Sequence, residues 1–175
     1  GLDGEGIHVC IVDTGVDLNH DDLDHMNIGF RDFVSSSDTP LDHGLDNHGT
    51  MMVGILVADG HLKGAAPGVS LSVAAALGEQ EGGETVGETS LVAKAVEWCW
   101  KVMGADVISL SLGGMQDENA TSGKEVEDAV SEALSKGVFV VAAAGNDGGF
   151  TDDGLVSSPA NVPLVISVGA SVEGG

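Results

Sequence analysis

Ile7 to Val12 is an apolar run rich in β-branched residues, broken at Asp13 and followed by a turn-permitting Gly15. Such a run predicts a strand buried on both faces. Further strands are predicted over Leu71–Leu77, Asp106–Leu112, Val138–Ala144 and Leu164–Gly169, with a short one within Asn27–Val34. Met51 to Ala58 is apolar nearly all round, the pattern of a helix covered on every side. Leu91, Val92, Ala95, Val96, Cys99 and Val102 recur at helical spacing, with Thr89 or Ser90 as cap. Val126, Ala129, Val130, Ala133 and Leu134 form a second stripe, opened by the capping box Ser122-x-x-Glu125 and stopped at Lys136-Gly137. The acidic, glycine-rich stretch from Gly78 to Glu88 has no apolar period and reads as a loop.

Alternating strands and helices predict an α/β fold, a doubly wound parallel sheet with helices on both faces. In such a sheet the strand ends at Asp13, at Ser111-Leu-Gly113 and at Gly145-Asn146 converge on one rim, and His48 opens a helix from the same rim. Asp13 has two readings, a helix cap or a functional carboxylate. An aspartic-protease loop is excluded, because that chemistry needs a second Asp-Thr-Gly and the chain has none. His48 is either a plain cap or an imidazole at a site mouth, its pKa lowered by the positive helix end.

Charge narrows the partners. The chain's 175 residues carry a formal charge of −22, which disfavours nucleic acid and anionic membranes, both of which need a positive patch. High salt is one setting that offsets such self-repulsion. Cys10 and Cys99 fall in a predicted strand and a predicted helix and read as small core residues rather than a disulfide. Asp and His crowd Asp17–His25 and Asp42–His48, a composition open to metal but more simply a solvated acidic loop.

A carboxylate and an imidazole are two parts of a nucleophilic triad, and an amide such as Asn146 can stabilise an oxyanion. The motifs Val12-Asp13-Thr-Gly15, His48-Gly-Thr50, Gly64-Ala-Ala-Pro67, Ser109-Leu-Ser-Leu-Gly-Gly114, Ala142-Ala-Ala-Gly-Asn146, Ser158-Pro-Ala160 and Val165-Ile-Ser-Val-Gly-Ala170 together resemble the subtilisin-like serine proteases. That resemblance covers almost the whole chain. It implies a subtilase domain with Asp13 and His48 as triad members and Asn146 as oxyanion donor. Ser111, Leu112 and Gly113 would form a wall that pairs with an extended peptide, and Ala143, Ala144 and Gly145 would line the specificity pocket beside it.

The chain departs from the family pattern in three places. The family's nucleophile lies in a later Gly-Thr-Ser-Met-Ala motif that this sequence lacks. Ser157 and Ser158 belong instead to the family's Tyr-Pro-Ala turn, and no helix follows Ser171. Residues 1–175 are therefore expected to be the N-terminal part of a catalytic domain, inactive alone, with the serine and the missing elements supplied from outside. Met51, Met52 and Val53 replace the family's usual residues after His-Gly-Thr, a packing change. The stretch from Ala58 to Gly64 is shorter than the loop that holds calcium in some relatives. No cofactor is required by the resemblance. Calcium through Asp22 or the acidic loops stays open, with no ligand set assigned.

The reading that follows is an endopeptidase acting on polypeptides, extracellular by the family's habit. A non-catalytic peptide-binding or scaffold module of the same fold is the alternative, and a metal-dependent hydrolase using the Asp/His clusters is the distant third.

Overall fold

Strand β1 (His8–Asp13) is the axis of the molecule. Its side chains alternate between two cores: Cys10 and Val12 enter one, Val9 and Ile11 the other. Burial on both faces explains why β1 reads as an unbroken apolar run. The computed structural model describes residues 2–24, 26–79, 85–114, 123–146 and 154–171.

Six strands form a parallel sheet: β1, β2 (Gly29–Asp32), β3 (Ser70–Ala75), β6 (Val107–Leu110), β7 (Phe139–Ala143) and β8 (Ile166–Val168), in the order β2-β3-β1-β6-β7-β8. The chain builds outward from β1 first to one side and then to the other. Strand order therefore reverses at the carboxyl end of β1, where open α/β sheets leave a crevice for ligands. The predicted loop after β3 holds a small antiparallel hairpin, β4 (Gly78–Glu79) with β5 (Thr85–Val86), a departure from the loop reading.

Helix α1 (His48–Val57) covers one sheet face, where Val53 and Val57 pack with Val9, Ile11, Leu71 and Val73. Helices α2 (Thr89–Lys101) and α3 (Lys124–Ser135) cover the other face, over Cys10, Val12, Ile108, Leu110 and Val140. The predicted stripes face inward through Val92, Ala95, Val96 and Cys99 on α2 and through Val126, Ala129, Val130 and Ala133 on α3. Each fully buried valine or isoleucine contributes roughly 1.5–3 kcal/mol.

Four expectations change. Cys10 and Cys99 are joined by a disulfide between β1 and α2, with Cα atoms 5.7 Å apart and both residues fully buried. The two core positions face each other because α2 lies directly over β1. Residue Glu88, not Thr89 or Ser90, occupies the cap of α2, and the Ser90 hydroxyl donates back to its carboxylate at 2.6 Å. Gly123 caps α3; Ser122 lies outside the described residues, and Gly137 ends the helix with a left-handed φ of 87°. Helix α1 is not covered all round, since Met51 and Ile55 are 48% and 65% exposed. Among the described residues α1 is the sole helix on its face, and the part of that face formed by Phe139, Ile166 and Val168 is exposed as well. No helix among the described residues is long and apolar enough to cross a membrane.

Candidate active site

Two glycines let the strand end and the helix start approach each other. Gly15, at φ 121°, turns the chain so sharply after β1 that a Cβ there would overlap the Leu41 carbonyl oxygen. A Cβ on Gly49 would overlap the Gly15 carbonyl. The spacing of Asp13-Thr-Gly15 and His48-Gly-Thr50 is thus a packing requirement. Its result is that β1 delivers Asp13 directly beneath the first residue of α1.

Nδ1 of His48 lies 2.8 Å from Oδ1 of Asp13. The same Oδ1 accepts the Thr14 backbone N–H at 2.7 Å, while Oδ2 is buried with no hydrogen-bond partner among the described residues. Burial pushes the Asp13 carboxyl up from its usual range, against the opposing pull of its bonds to His48 and Thr14. For His48 burial works against the charged ring. The hydrogen bond and charge of Asp13, reinforced by Asp46 and Asp42, outweigh it and hold the imidazole above its usual 6.5. The expected lowering by the helix end is therefore overturned: three carboxylates surpass a partial positive charge that acts at one turn.

Asp42 braces this pair, a role the sequence did not signal beyond a loop dense in acid. Its Oδ1 accepts the Thr14 hydroxyl at 2.7 Å, and its Oδ2 accepts the Thr50 hydroxyl at 2.6 Å and the Thr50 N–H at 2.8 Å. Thr14 Oγ1 in turn accepts the Gly49 N–H at 2.8 Å. One carboxylate thus clamps the residue after Asp13 to the second residue after His48.

Beside the pair, the ends of β6 and β7 open a cleft. A cavity of about 750 Å³ is lined by His48, Ser111, Leu112, Gly113 and Asn146, together with Asp46, Val126 and Glu127. A smaller one of about 270 Å³ adjoins it, lined by Ala143, Gly145, Asn146, Ser157 and the same Ser111–Gly113 wall. Gly114 and Ser158 exchange backbone hydrogen bonds of 3.1 and 3.2 Å and join the wall to the 157–160 turn. Among the residues singled out from sequence, His48, Asn146, Ser111, Leu112, Gly113, Ala143 and Gly145 line this cleft, and Asp13 lies buried behind His48. Ala144 does not line either cavity: its N–H donates to Val168 and its carbonyl accepts from Ser157, so it anchors the sheet edge.

Neither Ser157 nor Ser158 is bonded to His48; the Ser158 hydroxyl donates to Glu127 at 2.9 Å. Carboxylates of the first Asp/His loop are taken up by N–H donors of the protein, near and far in sequence. Asp17 accepts from Asn19, and Asp22 accepts the His61 N–H at 2.5 Å and the Leu62 N–H at 3.4 Å. Among the described residues no group of three or more His, Cys, Asp or Glu is placed to hold a metal ion, and His25 lies outside them.

A sequence model of the Subtilase family matches residues 4–174. The chain is 34% identical over 176 residues to the "Major intracellular serine protease" of Bacillus subtilis, covering 97% of this chain and 52% of that protein. It is 38% identical to the "Thermophilic serine proteinase" of Bacillus sp. strain AK1, over 94% of this chain and 38% of that protein. Among solved structures, a cold adapted subtilisin-like serine proteinase superposes with a TM-score of 0.78 at 30% identity, covering 98% of this chain and 57% of the other. The protease domain of PatA gives 0.80 at 25% identity, over 99% and 61%. The chain spans about half the length of the curated relatives it matches.

Proposed function

The chain belongs to the subtilase family, and from that premise we propose that its parent protein is a serine endopeptidase whose Asp13 and His48 work with a serine from outside residues 1–175. The carrying observation is the 2.8 Å contact between His48 Nδ1 and the buried Asp13 at the mouth of a cleft that also holds Asn146. With Asp13 ionised, Nδ1 keeps its proton and Nε2 is left as the base.

In this reading an extended peptide pairs with the Ser111–Gly113 backbone as an added strand, one side chain entering the smaller cavity beside Ala143 and Gly145. The serine oxygen attacks the scissile carbonyl carbon while Nε2 of His48 takes its proton. The Asn146 amide donates to the oxyanion, a contribution of about 3–4 kcal/mol to such transition states. His48 then gives the proton to the leaving amine as the C–N bond breaks, and water repeats the sequence on the acyl-enzyme. No step calls on a cofactor. Asp13 orients the ring and stabilises its charged form.

Residues 1–175 would be the N-terminal part of the catalytic domain. The exposed faces of α1 and of β7–β8, bearing Met51, Ile55, Phe139, Ile166 and Val168, would receive the segment that carries the serine. The buried Cys10–Cys99 bridge supports an oxidising, extracellular setting.

A fluorophosphonate probe tests the reading. It should label one serine in the full-length protein and none in residues 1–175 alone. Labelling at Ser157 or Ser158 would overturn the assignment. A full-length protein that binds peptides without labelling would be the scaffold module instead.

A further inference from the structure

The larger cavity has apolar walls and acidic fittings. Val92 and Val126 are buried in it, Leu112 is half-buried, and the carboxylates that line it are Asp46 and Glu127. Glu127 differs from its neighbours on α3. Glu125 and Asp128 are exposed, whereas Glu127 is half-buried and one oxygen accepts the Ser158 hydroxyl at 2.9 Å. That bond fixes the side chain beside the cleft. The cation in the same lining, Lys124, is exposed and paired with Asp128 at 2.9 Å. Lys124 feels Glu127 as well as Asp128, so it offsets the Glu127 charge in part and a cationic guest competes with it there.

A guest suited to this arrangement has a long apolar stem and a positive tip, as lysine and arginine do. The stem would lie on Val92, Leu112 and Val126, and the head would meet Glu127. Asp46, which precedes α1 and lines the same cavity, adds field of the same sign. We propose that Glu127 is a specificity-determining residue of the cleft, selecting peptides with a lysine or arginine at one position near the scissile bond. The proposal rests on the peptidase reading above.

The test uses the full-length protein and quenched fluorescent peptides in which each position around the scissile bond is in turn Arg, Leu or Glu. At one position Arg should exceed Leu in kcat/KM by about fivefold at low salt, the upper range for a partly solvated ion pair. Added salt should shrink that ratio. Glu127→Gln should bring the ratio close to one, and Glu127→Lys should invert it toward the Glu peptide. Equal cleavage of Arg and Leu peptides at every position overturns the proposal while leaving the peptidase reading intact, and so does a ratio unmoved by Glu127→Gln. The wild-type salt dependence decides the matter even if a variant folds poorly: a preference for Arg indifferent to salt also overturns it. Failure to cleave any peptide, with no probe labelling, overturns both.

Discussion

The Thr14 hydroxyl donates to Asp42 at 2.7 Å while accepting the N–H of Gly49, so a single oxygen stands between the loop after β1 and the start of α1. Removing it leaves a buried N–H without an acceptor and takes from Asp42 Oδ1 one of its two donors, the other being the Gly44 N–H. Thr14→Val should therefore cost about 1–3 kcal/mol of stability, read from urea unfolding. It should also lower kcat/KM of the full-length enzyme by tenfold or more, since small misplacements of a base are expensive (about 100-fold for about 1 Å). Thr14→Ser, which keeps the oxygen, should recover most of both. Equal behaviour of the two variants would show that the hydroxyl does not set the geometry.

His48 must be neutral to accept a proton, so kcat/KM should rise with pH through the pKa of its ring. Because the neighbouring carboxylates hold that pKa above 6.5, the acid limb of the pH profile should be centred above 6.5. Asp46→Asn removes one of the charges and should move the limb to lower pH. Added salt should move the wild-type limb the same way, as exposed Asp46 is screened. A limb centred below 6.5, or one unmoved by Asp46→Asn, would contradict this account.

The Cys10–Cys99 bridge closes a loop with a sequence separation of 89. The chain-entropy model assigns a loop of that size about 4–5 kcal/mol, and measured bridges commonly give about 2–4. Replacing both cysteines by alanine should thus lower stability by about 3–5 kcal/mol, including the small cavity left behind. Thiol titration of the unfolded, unreduced protein should find no free cysteine. Two titratable thiols would restore the pair to simple core residues.

Much of this was legible in the residues. Largely apolar runs mark β1, β3, β6 and β7: β1 and β3 are covered on both faces, whereas β7 keeps the pattern although Phe139 is exposed. Asp13 and Asn146 stand out at the ends of such runs and His48 at the start of an apolar helix, while the roles expected of them come from the family resemblance. What escaped notice depends on distance through space. Cys10 and Cys99 look like ordinary core positions until α2 is laid across β1. Asp42 is one acid among many in its loop, and nothing local distinguishes it from Asp46, although one braces the site and the other lines the cleft. The direction of the His48 shift was missed for the same reason: the helix end is visible in sequence, whereas the three carboxylates around the ring are assembled by the fold. Ala144 matched a motif but turned its backbone to Val168 and Ser157.

Asp32 at the end of β2 gives the fold an acid-sensitive joint. Its side chain is fully buried; burial alone would raise its pKa, but donors from the Ser35 hydroxyl and backbone, from Val34 and from His43 bring it down to about 2 from 3.8. A carboxyl depressed in the folded state contributes stability above its unfolded pKa and loses it as pH falls through the folded value. The contribution should therefore be complete above pH 3.8 and disappear as the pH drops toward 2. Urea midpoints measured across that window should fall more steeply for the wild type than for Asp32→Asn, with about 1–2 kcal/mol separating the slopes' end points. The variant should be the less stable of the two near neutral pH, because it cannot accept every bond the carboxylate takes. Parallel curves would mean that the Asp32 charge is no more stabilised in the folded chain than in the unfolded one.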